Sequence, residues 1–208
     1  MIEAINYYLI PSLVLGSIYA LGAIGISMIY AILRFAHFAH GDLLTLGGYI
    51  AFFLMTLLGL PPISVIPMAM VLTAAVAVAI DRLFYRPFRK ANSVIMLIAS
   101  FGVALMIRSA IQIIWGVEDE YFGTIQPPLK AFAPFAVAEK HLYMAGAVIL
   151  LVGATHYLLA HTRIGKAMRA MSDDADLARI TGIGTEGVIV WTWIVGAGLA
   201  AAALSAPV

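Results

Sequence analysis

The chain has 208 residues, of which 63% are hydrophobic and 11% charged, with a formal net charge of +1. Soluble domains carry about a quarter of their residues as Asp, Glu, Lys and Arg; less than half that share, with a mean hydropathy of +1.01, points to the lipid bilayer as solvent. Cysteine is absent, which excludes a disulfide framework, a zinc finger and a thiol nucleophile.

A bilayer core takes roughly 20 apolar residues in a helix, and six intervals answer to that length. The first runs from about Tyr7 to Leu33, too long for a cleaved signal peptide and so read as a retained helix. Along it Ser12, Gly16, Ala20, Ala23, Ser27 and Ala31 recur at helical spacing. Such a stripe lets helix backbones approach closely in lipid, and close packing is its expected role, with Gly22 and Gly25 off the stripe.

The stretch 34-RFAHFAHGDLLTLGGY-49 follows. His37 and His40 share a helical spacing near Asp42, but no third strong ligand and no H-E-x-x-H pattern accompany them, so a metal site is not expected. Two readings stay open. Gly41 breaks the helix and the irregular backbone lines a cavity at membrane depth, or the stretch is an interfacial loop anchored by its aromatics. The second span runs from about Leu43 to Leu60, and Pro61-Pro62 turn the chain into a third that ends near Ile80.

The stretch 81-DRLFYRPFRK-90 holds Arg82, Arg86, Arg89 and Lys90 and reads as cytoplasmic by the positive-inside rule. A fourth span runs from about Ala91 to Trp115 and carries Arg108, the one base inside a span, with Gln112 one turn on. Arg108 either snorkels to the outer face or packs, or it serves a pathway. The stretch 117–141, with Glu118, Asp119, Glu120 and three prolines, reads as external. A fifth span covers about Leu142 to Leu159.

The 26 residues 161-HTRIGKAMRAMSDDADLARITGIGTE-186 return to the cytoplasm with Arg163, Lys166, Arg169 and Arg179. Ala167, Met168, Met171, Leu177 and Ile180 alternate with charges as in two short amphipathic helices, the second capped by Ser172, Asp173 or Asp174. Three aspartates argue against a lipid-surface helix; a groove on a soluble protein is the favoured partner, with the bundle's own floor as the alternative. The sixth span starts near Gly187. Counting back from these loops puts Pro61-Pro62 outside, Arg34 inside and the N-terminus outside. The last span ends in 196-GAGLAAAALSAPV-208 without charge or aromatic anchor, so residues 1–208 are expected to be one transmembrane domain forming an N-terminal portion of a longer protein. The fold class is all-α, a polytopic transmembrane helix bundle.

Two blocks carry a family resemblance. Phe38, Ala39, His40, Gly41 and Asp42, followed by Gly47, Gly48 and Tyr49, resemble the hallmark of the permease subunits of branched-chain amino-acid ABC importers, the LivH type. His37 stands where that family has Asn, and Gly48 where it has Ala. In 162–183, Gly165, Ala167, Met168, Arg169, Ala170, Ala178, Gly182 and Ile183 resemble the family's cytoplasmic coupling loop. The resemblance implies a multi-pass protein of the bacterial inner membrane. Its partners would be cytoplasmic ATP-binding subunits, a second permease subunit, identical or homologous, and a periplasmic solute-binding protein; no nucleic acid and no cofactor are expected. It implies a translocation pathway at His40, Gly41, Asp42, Gly47 and Tyr49, and ATPase coupling through Gly165, Arg169, Ala170, Ala178 and Gly182. No catalytic residue is expected: no G-x-x-x-x-G-K-[ST] phosphate loop occurs, so ATP chemistry belongs to another chain. Urea or short-chain amide importers share nearly the same blocks. An ion-coupled secondary transporter or channel is the reading from another class, with Asp42 as its one intramembrane carboxylate.

Overall fold

The computed structural model describes residues 5–60, 62–89, 91–117 and 139–205. Pro61, Lys90 and nearly all of the expected external stretch, including Glu118, Asp119 and Glu120, lie outside the described residues.

Every regular element described is helical. Helix α1 spans Ile10–Leu33 behind a π-helical turn, Ile5–Leu9; α2 spans His40–Leu58; α3 spans Pro62–Ile80. Pro67 sits inside α3 without ending it. A π-turn, Asp81–Tyr85, and a 3-10 turn, Arg86–Phe88, prolong α3. Then come α4 (Ser93–Trp115), α5 (Glu139–His161), the short α6 (Arg163–Asp173) and α7 (Ala175–Ile180), and α8 (Thr185–Ser205). Six of these helices, with their extensions, are long and apolar enough to cross a bilayer, as expected where backbone polar groups must be paired within each segment.

Helix α8 is the axis of the bundle, packed on α1, α2 and α3. Its run of glycine and alanine permits that: Ala197, Ala200, Ala201 and Ala203 are fully buried. Facing it, a Cβ on Gly25 would lie 2.8 Å from the Gly196 carbonyl oxygen, and one on Gly47 would lie 2.5 Å from Ala201 Cα. Small residues here let backbones touch, which stands in for the hydrophobic drive that lipid removes. On α1 the approach to α8 is made by buried Gly25, while buried Gly22 meets the Leu44 side chain of α2; the expected stripe makes neither contact, since Ser12, Gly16, Ala20, Ala23 and Ser27 are exposed.

One end of the bundle is tied by charge. Arg34 donates to the Ser172 carbonyl. Arg89 pairs with buried Asp81 and, at 2.7 Å, with Glu186, which Arg86 approaches at 3.6 Å. These contacts gather the end of α1, the end of α3 and the segment from α6 to the start of α8. The bases gather at this end, the one that the positive-inside rule leads one to expect in the cytoplasm.

Candidate translocation site and coupling face

Helix α1 does not run on into α2. Arg34 adopts a left-handed conformation (φ 57°) and its N–H closes the helix on the Tyr30 carbonyl at 2.9 Å. Five irregular residues follow before α2 starts at His40. The His40 ring donates from Nε2 to the Gly22 carbonyl at 3.0 Å. Gly22 lies three turns, about 16 Å, back from the end of α1. The Ala39 N–H donates to Ser100 Oγ at 3.3 Å, and Ser100 is about 10 Å inside α4. The segment 34–39 therefore folds back into the bundle, and α2 begins near mid-depth.

Irregular backbone at that level is tolerated where protein covers it. Phe35, His37, Ala39 and His40 are each 3% exposed or less. The His37 ring meets the Trp193 ring at 4.9 Å, edge on, and its Nε2 hydrogen-bonds the Tyr85 hydroxyl at 3.1 Å. Tyr85 stacks on Trp193 with 3° between the planes. Tyr85→Phe keeps the stack and deletes the hydrogen bond, and is expected to cost about 1 kcal/mol. Thermal unfolding of the detergent-solubilised protein is the check; an unchanged midpoint would mean the hydroxyl does nothing for the break.

The break precedes Gly41 rather than occurring at it. Gly41 lies within the first turn of α2, with open space where a Cβ would be. His40 and Gly41 line a largely apolar cavity of about 350 Å³ with Tyr19, Gly22, Ala23 and Phe38. Asp42 points elsewhere. Its Oδ1 accepts from Arg108 Nε at 3.1 Å and lies 3.1 Å from Nη2. Arg108 thus has a carboxylate partner 66 residues away, which the sequence reading did not pair with it. The two line a second cavity of about 210 Å³ with Thr45, Tyr49, Gln112 and Val117. Tyr49 packs on Trp115 with ring centroids 5.3 Å apart. Gly47 belongs to neither cavity and seats α2 on α8. Among the described residues, no cluster of three metal-ligating side chains occurs.

The stretch 161–186, expected to be the coupling loop, folds as two helices, each with a side-chain cap. Thr162 Oγ1 accepts the Gly165 N–H at 3.0 Å and donates to the Leu158 carbonyl at 2.6 Å, fastening α6 to the end of α5. Asp174, of the three residues considered, caps α7: its Oδ1 accepts from Asp176 and Leu177 N–H at 2.9 and 3.0 Å. Gly182 (φ 86°) ends α7, with Gly182 N–H to Arg179 and Ile183 N–H to the Ala178 carbonyl. That pairing requires a left-handed residue at Gly182's position, where glycine carries no steric penalty. The apolar sides of the two helices diverge. Met168 and Met171 of α6 are buried in the core beneath the bundle, so for α6 the bundle's floor, not a foreign groove, is the partner. On α7, Ala178 faces in while Leu177 and Ile180 are 59% and 82% exposed. Arg169 is exposed and Ala170 half-buried.

Comparison with known proteins places this arrangement. The chain is 29% identical to the high-affinity branched-chain amino acid transport system permease protein BraD of Pseudomonas aeruginosa, over 94% of this chain and 68% of that protein. It is 30% identical to the corresponding permease protein LivH of Escherichia coli, over 91% of this chain and 66% of that protein. A probable branched-chain amino acid transport permease protein LivH of Methanocaldococcus jannaschii is 28% identical, over 92% and 62%. The chain thus spans about two thirds of the length of these relatives. No solved structure matches it. The pattern of the family described as "Branched-chain amino acid transport system / permease component" covers residues 8–205, and the chain belongs to that family.

Proposed function

We propose that this chain is the membrane permease subunit of an ATP-driven importer carrying branched-chain amino acids into the cytoplasm. A periplasmic binding protein would hand over the solute, a second permease subunit would complete the pathway, and two cytoplasmic ATP-binding subunits would supply the work. The observation that carries the reading is α7: a capped helix at the basic end of the bundle whose Leu177 and Ile180 point away from the chain's own core. Apolar side chains on so short an element need a partner, and a groove on a soluble subunit fits them. Because α6 is welded to α5 and to the core, a push on α7 is delivered to the spans instead of being lost in a flexible loop. Arg169, Ala170, Ala178 and Gly182 lie along that route, and Gly165 anchors it.

An ion-coupled transporter is the weaker reading. It would place charge-carrying carboxylates within the spans, and Asp42 has its counter-charge in Arg108.

Leu177→Asp and Ile180→Asp test the proposal in the assembled transporter. Both positions are exposed, so stability should change by no more than about 0.5 kcal/mol. Solute-stimulated ATP hydrolysis should fall by about tenfold or more, as for loss of a buried apolar anchor at an interface. Full stimulation in both variants would remove α7 as the docking element.

A further inference from the structure

The Asp42–Arg108 pair has a peculiarity that bears on what the cavity holds. Both guanidinium contacts go to one carboxylate oxygen, Oδ1, from Nε and Nη2. Among the described residues, Oδ2 of Asp42 and Nη1 of Arg108 make no hydrogen bond. Arg108 keeps 63% of its side chain exposed while Asp42 keeps 11%. A half-open charge pair of this kind, near the N-terminus of a helix that begins at mid-depth, is expensive against lipid. It belongs on a surface that faces water or protein.

The cavity beside the pair combines polar groups with apolar walls. Thr45 and Gln112 offer polar atoms, Ile111 and Val117 apolar ones, and Tyr49 both. The Tyr49 ring continues into Trp115, against which Phe53 also packs at 6.4 Å. The cavity has a volume of about 210 Å³. That is room for the head group and first side-chain carbons of a small amino acid.

We infer that this cavity is a head-group subsite for a zwitterionic α-amino acid with an apolar side chain. The ammonium is accepted by Asp42 Oδ2, the carboxylate by Arg108 Nη1, and the side chain lies along Tyr49, Ile111 and Val117. The inference rests on the importer reading above and assigns the residues that hold the head group of its substrate. A zwitterion brings one charge of each sign, so the site stays neutral when it is filled. A neutral amide such as urea has no charge to match either residue. A molecule with only the ammonium or only the carboxylate would leave an odd charge in a poorly solvated place.

None of the 208 residues is cysteine, so with any other cysteines of the transporter replaced, one introduced thiol reports on the cavity. Thr45→Cys is introduced into the assembled transporter without its binding protein, and alkylation by a water-soluble thiol reagent is timed with and without nucleotide. Saturating L-leucine should slow labelling by about tenfold or more, while L-leucinol, 4-methylpentanoate and urea should not. Adding Arg108→Gln should abolish the protection, read as the ratio of labelling rates with and without leucine in that same variant. The inference is overturned by equal protection from the half-analogues or urea, by no protection from leucine, by protection that survives Arg108→Gln, or by a cysteine that never labels. The two proposals fail separately. Loss of protection with solute-stimulated ATP hydrolysis intact removes the subsite alone, whereas intact stimulation in the α7 variants removes the coupling reading and leaves the protection data standing.

Discussion

Gly47→Val is expected to prevent the bundle from assembling. A Cβ at that position would sit 2.5 Å from Ala201 Cα, 2.7 Å from Ala201 Cβ and 3.3 Å from Ala201 N. Two of those atoms are backbone of α8, the most buried span, so relief requires moving α2 away from the axis. Forcing extra carbons into a packed interior costs about 1–3 kcal/mol where side chains can yield, and at least that much where only backbone is in the way. Two other glycines calibrate the effect. A Cβ on Gly48 meets Leu204 Cδ2 at 2.9 Å, the far end of a flexible side chain, so Gly48→Ala should cost about 1 kcal/mol at most. Gly16 meets nothing within 4 Å, so Gly16→Ala should be neutral or slightly stabilising, by up to about 1 kcal/mol from backbone entropy. Thermal unfolding of the three variants in detergent reads the order directly. A Gly47→Val protein with an unchanged midpoint would mean that α2 and α8 do not cross as closely as described.

The contrast between Gly47 and Gly16 also marks how far the sequence speaks. Hydropathy located all six spans within a few residues, because in lipid the requirement for paired backbone leaves the helix as the only open choice for such runs. A periodic line of small residues shows that a helix has a face able to pack closely; it does not say against what. On α1 the line from Ser12 to Ser27 is exposed, and the close contacts are made by Gly22 and Gly25, which the periodicity had set aside. The break between α1 and α2 was visible as a break but placed at Gly41, because glycine is the usual punctuation. The chain turns at Arg34, a residue seldom left-handed, with its guanidinium engaged by the Ser172 carbonyl.

Asp42 and Arg108 show what stayed hidden. They lie 66 residues apart, and no local pattern joins them. A signal was nonetheless present: a chain with one carboxylate near the start of one span and one base inside another can reduce the cost of both by pairing them. The cap of α7, unlike that of α6 at Thr162, was more legible, because Asp174 acts on N–H groups two and three residues away. The directions of the apolar faces were not, since Met168 and Ile180 look alike in sequence and differ in whether the floor of the bundle lies beneath them.

That junction supplies the second large effect. Gly165→Ala is expected to uncouple the transporter while leaving the chain in the membrane. A Cβ on Gly165 would lie 2.1 Å from the Leu158 carbonyl oxygen, 2.5 Å from that of Leu159 and 2.6 Å from Leu159 Cα. All three are backbone atoms of the last turns of α5, and none can rotate aside. The first turn of α6 must then lift, which breaks the Gly165 N–H to Thr162 contact; loss of such a cap alone is worth about 0.5–2 kcal/mol. Lifting also draws Met168 and Met171, now 1% and 5% exposed, away from the core, and each buried apolar side chain is worth about 1.5–3 kcal/mol. The spans are untouched, since their insertion depends on hydropathy and not on this junction. Solute-stimulated ATP hydrolysis in proteoliposomes should therefore drop to the unstimulated rate. Lys166→Ala, one residue on and exposed, should behave as the parent. Thr162→Val should fall between them, because it removes the hydroxyl's two hydrogen bonds and keeps the close approach. Normal stimulation in Gly165→Ala would mean that α6 moves freely on α5, and force applied at α7 would then need another way into the bundle.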